Sequence, residues 1–495
     1  MSARRGTVAW PPLSRQTVLS AAVWGWHSKR LFSIVLLVVA VLLGAHYRFH
    51  RLSHWDMDGD EGAAWIAAVA PNVRAVAGTF SQVEYGGKLP IYDLVLHEWV
   101  RVFGESLFAM RAMSAALGTI AIVLLFFAVR EIYRALGGEA CAEGGEVAGA
   151  FAALIYAANR ALVISDRRAR EFPLLMVVEL LQIIFFMRAQ RRDASKDYLG
   201  LAISTAIMLP INYCASFLLL AEALWLGCLL VAKWAGSMRA RQLAMFRPGF
   251  AVLAGMALLA PFAPSAYVSS RDAVAAGAVD FIKQKPVTWP FTLLSRMVGT
   301  PALFWVVVIL IGLGVWRQSR SARLVPGFLA IWTAGPVFAA FAVTYLVRPI
   351  ELPRYVFIAF VGMFAFAGFG AASVRRTAVR IAFATVIVSL SVPTIDGLIR
   401  VSPNAAWREA TALAIKQCPP GEKIAVLLPY NLQVVRFYMP PERRSAVVGM
   451  ETKCGPAPVL MLSDRSFAPP EQIAAAEACY PRVLARLQLV EVRAR

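Results

Sequence analysis

Eleven apolar stretches recur along this chain, and a polypeptide that repeats such a stretch so often cannot fold around one water-soluble core. They cover residues 31–47, 106–129, 146–164, 172–187, 198–212, 215–234, 250–267, 291–316, 326–346, 355–373 and 381–398. Each approaches the roughly 20 residues that cross a hydrocarbon layer as a helix. Composition agrees: 59% of residues are hydrophobic, 16% are charged and mean hydropathy is +0.61. These values belong to a polytopic α-helical membrane protein. Pro and Gly inside several stretches are compatible with helices whose neighbours resatisfy the backbone.

Lys and Arg placement sets the expected orientation. Arg4, Arg5, Arg15, Lys29 and Arg30 precede the first stretch, and alternate connections carry Arg130 and Arg134, then Arg188, Arg191, Arg192 and Lys196, then Lys233, Arg239, Arg241 and Arg247. Arg317, Arg320 and Arg323, then Arg375, Arg376 and Arg380, continue the series. That side is expected to be cytoplasmic, with residues 1–30 as a retained tail lacking a signal-peptide cleavage pattern. Topology and anionic headgroups then account for the net charge of +20, which is not read as nucleic-acid binding.

On the opposite side, a few residues beyond the first stretch, stands the acidic cluster Asp58-Gly59-Asp60-Glu61. A carboxylate at a membrane surface is placed to take a proton from a hydroxyl acting on a lipid-linked substrate. Asp58, Asp60 and Glu61 are therefore candidate catalytic residues, against the alternative that they solvate a loop. Asp58 equally suits a helix cap. The loop containing them, residues 48–105, is long enough to require structure or function. Apolar spacing predicts surface helices over 63–69 and 90–103. Between them Gly86 and Gly87 permit a turn from which Lys88 projects.

The connection Ser165-Asp166-Arg167-Arg168-Ala169-Arg170-Glu171-Phe172 lies on the same side, where arginines run against the topological bias. Two explanations stand: an anionic phosphate partner, for which the guanidinium fork is suited, or pairing with Asp166, Glu171 and headgroups.

Short motifs in a fixed order carry a resemblance. Asp60-Glu61, then Gly87-Lys88-Leu89-Pro90-Ile91-Tyr92, then His97 to Gly104 with Arg111 opening the second span, resembles the first outer loop of GT-C membrane glycosyltransferases. The branch concerned holds the protein O-mannosyltransferases and the aminoarabinose transferases of lipid A. Residues 166–172 are similar to that branch's Ser-Arg-Glu-Ala-Arg-Pro-Tyr loop, and Pro353-Arg354-Tyr355 to the Pro-Arg-Tyr that opens a late span. The resemblance implies Asp60 as the carboxylate engaging the acceptor, and Lys88, Arg170 and Arg354 as contacts to a donor phosphate, with Arg168 beside them. It also implies a polyprenyl-phosphate sugar donor, inversion at the sugar, a lipid, glycan or protein acceptor, and a bacterial inner membrane with the site facing the periplasm. Leu89, Arg168 and Phe172 depart from the family's Pro, Glu and Tyr, and the Arg168 change removes one acidic candidate.

No cofactor is expected. His46, His50 and His54 recur every four residues, which is compatible with a divalent cation, but their place at the polar end of the first span suits interface residues equally. Beyond residue 398 the pattern becomes that of a small α/β domain: helices over 407–417, 432–439 and 470–478, and strands over 423–428, 446–448, 459–462 and 483–492. Trp407-Arg408-Glu409-Ala410, Pro419-Pro420-Gly421-Glu422 and Tyr430 are similar to the tail domain of bacterial members of the group. Cys418, Cys454 and Cys479 would face an oxidising compartment, which allows one disulfide and one remaining thiol.

The expected architecture is thus a cytoplasmic tail (1–30), a GT-C transmembrane domain (31–398) and a periplasmic α/β domain (399–495). The expected activity is sugar transfer from a polyprenyl-phosphate donor. A lipid-linked-sugar transporter or flippase and a non-catalytic membrane scaffold remain as alternatives.

Overall fold

The computed structural model of the chain describes residues 15–83, 88–138, 141–234, 247–275, 286, 288–317, 324–347, 353–401, 406–450, 460–464 and 470–494. A long helix, α1 (Arg15–Phe49), leads into three short ones, α2 (Gly59–Ala68), α3 (Val73–Val83) and α4 (Ile91–Phe103). The bundle continues with α5 (Leu107–Gly137), α6 (Ala142–Ala157), α7 (Arg160–Asp166), α8 (Phe172–Arg192), α9 (Ser195–Ile211) and α10 (Ser216–Trp234). It closes with α11 (Arg247–Ala257), α12 (Ala263–Ala275), α13 (Trp289–Val298), α14 (Pro301–Trp316), α15 (Leu324–Leu346), α16 (Phe357–Ser373) and α17 (Thr377–Arg400).

Among the described residues seven helices are long and apolar enough to span a membrane, or nine if the bent pairs α6–α7 and α11–α12 each count as one span. This is an integral membrane protein. Eight of the predicted stretches coincide with single helices, whereas 146–164, 250–267 and 291–316 each divide into two, α6–α7, α11–α12 and α13–α14; outside the seven helices and two bent pairs, α9 and α14 have 17 and 16 residues.

Burial sorts the helices. Nearly every residue of α16 is buried, because it packs against α6, α14 and α15 at once. Gly368 and Gly370 permit the approach: a Cβ at either would strike a backbone carbonyl, that of Ala148 on α6 or of Leu310 on α14. By contrast α1 shows Leu31, Val35, Val38 and Leu42 outward, an apolar face for hydrocarbon. At the C-terminal ends of α5 and α8, buried Glu131 is ringed by Arg134, Arg188 and Arg191.

The C-terminal part is α/β. Its elements are α18 (Trp407–Gln417), β1 (Ile424–Val426), α19 (Leu432–Tyr438), β2 (Val447–Gly449), β3 (Leu460–Asp464), α20 (Pro470–Cys479), β4 (Arg482–Leu487) and β5 (Val490–Ala494). The sheet order is β2-β1-β3-β5-β4, with β1 parallel to β2 and β3, and β5 antiparallel to β3 and β4. Two expectations need correction. Residues 483–492 form a hairpin and not one strand, with the chain reversing through Gln488 at φ 49°. The first loop also holds α3, whose Val76 and Phe80 pack inward. Cys479 is disulfide-bonded, whereas Cys418 carries a free thiol; Cys454 lies outside the described residues.

One core joins this domain to the first loop. Met57, Trp65, Tyr92 and Leu96 pack with Met110 of α5 and with Trp407, Val434 and Val435 of the C-terminal domain. Helix α19 lies directly on α2: Val434 meets Gly62, and Phe437 meets Trp65 edge to face at 5.4 Å. The acidic cluster is therefore held between the bundle and the α/β domain.

Candidate active site

The three acidic residues of the cluster have three different environments. Asp58 is the N-cap of α2, accepting from the Glu61 backbone N–H at 2.8 Å while Glu61 Oε2 accepts from the Asp58 N–H at 3.2 Å. This reciprocal capping box fixes where α2 begins. Asp58 Oδ2 also pairs with Arg168 at 3.1 Å. Burial, with Glu61 and Asp60 close by, pushes its carboxyl above the ordinary range despite Arg168.

Glu61 turns inward. It has 0% exposure and is gripped bidentately by Arg111, equally buried, at 2.7 and 2.6 Å. Its Oε1 also accepts the Ala169 N–H at 2.9 Å. The remaining Arg111 donors reach the carbonyls of Leu52, Trp55 and Asp56. Burial opposes the charge on Glu61, but Arg111 outweighs it and holds the carboxyl below the ordinary range. With both oxygens taken and no exposed face, Glu61 fastens α2 to α5 and to the arginine-rich connection.

Asp60 turns toward the bundle mouth and is partly exposed. Its Oδ2 receives Arg170 at 2.6 Å and Arg354 at 3.2 Å, while its Oδ1 accepts the Tyr430 hydroxyl at 2.9 Å. Burial would raise this carboxyl, yet Arg170 and Arg354 outweigh burial and hold it below the ordinary range. Burial and the Asp60 charge push the Tyr430 phenol far up, so it stays a donor. Arg170 also meets Glu171 Oε2 at 3.0 Å, and Lys88 meets Glu171 Oε1 at 3.0 Å. Beside Asp60 lies a narrow cleft lined among others by Lys88, Tyr92, Asp93, Arg170 and Glu171.

The candidates Asp60, Lys88, Arg170 and Arg354 thus come together, although they arise from α2, a loop, the connection before α8 and the approach to α16. Arg168 stands to one side on Asp58. The expected Gly86-Gly87 turn and residues 348–352 lie outside the described residues. Arg167 takes neither of the two roles considered for the arginines of this connection. It is fully buried, donates to the carbonyls of Tyr47, His50 and Arg51, and stacks 4.7 Å over Trp55. It locks the end of α1, where backbone carbonyls need partners. Asp166, next to it, pairs with buried Arg48 at 2.8 Å. His46 and His50 stack at 5.0 Å, and His54 Nε2 lies 3.2 Å from the Arg400 carbonyl.

Sequence reasoning missed two partners. Arg111 was read only as the opening of a span, and Tyr430 only as part of the tail domain. A charged residue inside an apolar stretch was the available signal for the first. For the second, 370 residues from its partner, there was none.

No protein-family model and no curated relative matches the chain. Solved structures do. ArnT from Cupriavidus metallidurans bound to undecaprenyl phosphate superposes with a TM-score of 0.57 at 14% identity, covering 94% of this chain and 98% of that one. The oligosaccharyltransferase of Archaeoglobus fulgidus, in complex with Zn and sulfate, gives 0.58 at 13% identity over 89% of this chain and 69% of its own. AglB of the same organism, in complex with an inhibitory peptide and a dolichol-phosphate, gives 0.55 at 10% identity over 90% and 71%.

Proposed function

We propose that this chain, which shares the fold of those solved structures, is a GT-C membrane glycosyltransferase that transfers a sugar from a polyprenyl-phosphate donor to an acceptor hydroxyl, with Asp60 as base. The observation that carries the reading is the division of Asp60: one oxygen is oriented by Arg170 and Arg354, and the other already holds a hydroxyl. A base needs a hydroxyl within about 3 Å and a fixed orientation. Glu61 and Asp58 act through position, by anchoring and capping α2.

In this reading the acceptor oxygen attacks the anomeric carbon from the face opposite the phosphate. The bond between that carbon and the phosphate oxygen breaks, its electron pair leaves on the polyprenyl phosphate, and the acceptor proton passes to Asp60 Oδ1. The configuration inverts. Lys88, Arg170 and Arg354 receive the charge that develops on the leaving phosphate, the kind of preorganised stabilisation that is usually the largest catalytic contribution. Each cation is held by Asp60 or Glu171, which keeps the three together for the entering phosphate. The proposal assigns no role to a cofactor or a metal ion.

The proposal includes eleven spans in a bacterial inner membrane, with α9 and α14 crossing as short helices, the amino terminus inside and the α/β domain in the periplasm. Donor is a polyprenyl-phosphate sugar; acceptor is a lipid, glycan or protein.

Asp60→Asn tests the reading. It should lower transfer by about 10²- to 10⁴-fold, the range of a general base, while the purified protein remains folded, at a lowered melting temperature, and still binds undecaprenyl phosphate. Wild-type turnover by that variant would remove Asp60 as the base and return weight to a transporter or scaffold.

A further inference from the structure

The phenol of Tyr430 stands where the proposed mechanism needs an acceptor. Asp60 Oδ2 is taken by Arg170 and Arg354, so Oδ1 is the oxygen turned toward an entering hydroxyl, and the Tyr430 hydroxyl lies 2.9 Å from it. The ring comes from a short turn, Pro429–Asn431, between β1 and α19. Half of its surface, 51%, is exposed, so it reaches over the site from the solvent side. Its ring lies on the backbone of Gly59, where any Cβ would overlap ring carbons. Glycine at the first position of α2 is what allows this contact. The turn is carried by α19, which is packed on α2 through Val434 and Phe437, so the α/β domain is held in place while only the turn covers Asp60.

Resting on the glycosyltransferase reading for the identity of the entering group, we infer that Tyr430 is a latch in the acceptor's seat, and that the acceptor site is the seam between the start of α2 and the Pro429–Asn431 turn. A hydroxyl-bearing acceptor reaches Asp60 by displacing the Tyr430 hydroxyl. The C-terminal domain thereby contributes to acceptor selection: a group must both replace a phenol hydrogen bond and fit the seam. The exchange is isosteric at the oxygen, hydroxyl for hydroxyl, and leaves the pairs of Asp60 with Arg170 and Arg354 in place.

Carboxylate labelling reads the latch without any substrate. Detergent-solubilised full-length protein is treated with a water-soluble carbodiimide and glycine ethyl ester, and sites are mapped by peptide mass spectrometry. Exposed Glu98 serves as the reactive reference and buried Glu61 as the fold reference. Tyr430→Phe, which keeps the ring, should raise Asp60 labelling about fivefold, the factor for one net hydrogen bond, and Tyr430→Ala should raise it further. Unchanged Asp60 labelling in both variants would overturn the latch. A rise that extends to Glu61 in Tyr430→Phe would also overturn it, since Tyr430 would then hold the fold together. The acceptor half is read by sugar released to water from a panel of undecaprenyl-phosphate sugars. Release should rise in Tyr430→Phe, and a fall would show that Tyr430 supports Asp60 instead of competing for it. If Asp60→Asn releases sugar as fast as wild type, the glycosyltransferase reading and the acceptor's seat fall together, while the labelling result still reports the contact.

Discussion

Arg170 bridges two carboxylates, with Nη1 at 2.6 Å from Asp60 and Nε at 3.0 Å from Glu171. Glu171 in turn holds Lys88, and Asp60 holds Arg354, so the chain of alternating charge runs Lys88, Glu171, Arg170, Asp60, Arg354. Such a chain neutralises cations that would otherwise repel one another in a low-dielectric mouth. It also keeps them together until an anion arrives. In the proposed reading Arg170, from the connection before α8, has a structural reason and a functional one at once.

The inward anchor separates from the outward site in a stability experiment. Arg111 and Glu61 are fully buried partners, so removing one strands the other. Arg111→Ala or Glu61→Ala should cost about 3 to 5 kcal/mol, read as a large drop in melting temperature. Asp58→Asn should cost little, since Asn caps a helix nearly as well as Asp. Equal melting temperatures for all three variants would mean that the buried pair does not hold α2 in place.

Much of this was legible locally. Every apolar stretch is helical because hydropathy is a short-range property, although three of them break into two helices, and α18 matches its predicted bounds to the residue. The order of motifs along the chain singles out Asp60, Lys88, Arg170 and Arg354, which the fold brings together. The hairpin at Gln488 was not legible, since Leu487-Gln488-Leu489 carries none of the Gly or Asn usual at a reversal. Tyr430 on Asp60 and Arg111 on Glu61 are products of tertiary packing, which no local pattern encodes.

Acidity should act with a definite sign. The folded carboxyls of Asp60, Glu61 and Glu171 lie below their ordinary range, held there against burial by Arg170, Arg111 and Lys88. Each contributes stability that is complete above the unfolded carboxylate range near pH 4 and is lost as pH falls through the folded value. Asp58, raised by burial, has the opposite sign. Melting temperature should therefore drop steeply below about pH 4. Transfer should show no acid limb near neutrality. An activity limb between pH 6 and 7 that disappears in Asp60→Asn would contradict the depressed Asp60.

Membrane orientation follows from the Lys and Arg bias and is open to a direct check. The ends of α5 and α8 that gather Arg134, Arg188 and Arg191 around Glu131 should face the cytoplasm, and the α/β domain the other side. Reporter fusions after Arg247 and at the carboxyl end should report opposite compartments. Two cytoplasmic reports would place the Asp60 pocket where no periplasmic acceptor reaches it.

Donor affinity distinguishes the cations by what they touch. Lys88 and Arg170 line the pocket and hold Glu171 or Asp60, so replacing either by Ala removes a charge-assisted contact to an entering phosphate. That loss is about 2 to 3 kcal/mol, or roughly 30- to 150-fold in affinity for undecaprenyl phosphate. Arg354→Ala should weaken binding in the same direction. Arg167→Ala behaves differently, because Arg167 has no exposed surface and all its contacts are carbonyls and Trp55. It should lower the melting temperature, and whatever fraction stays folded should bind with wild-type affinity. Near-wild-type affinity in Lys88→Ala, Arg170→Ala and Arg354→Ala together would show that these cations serve only their carboxylates, and the donor site would then have to lie elsewhere on the fold.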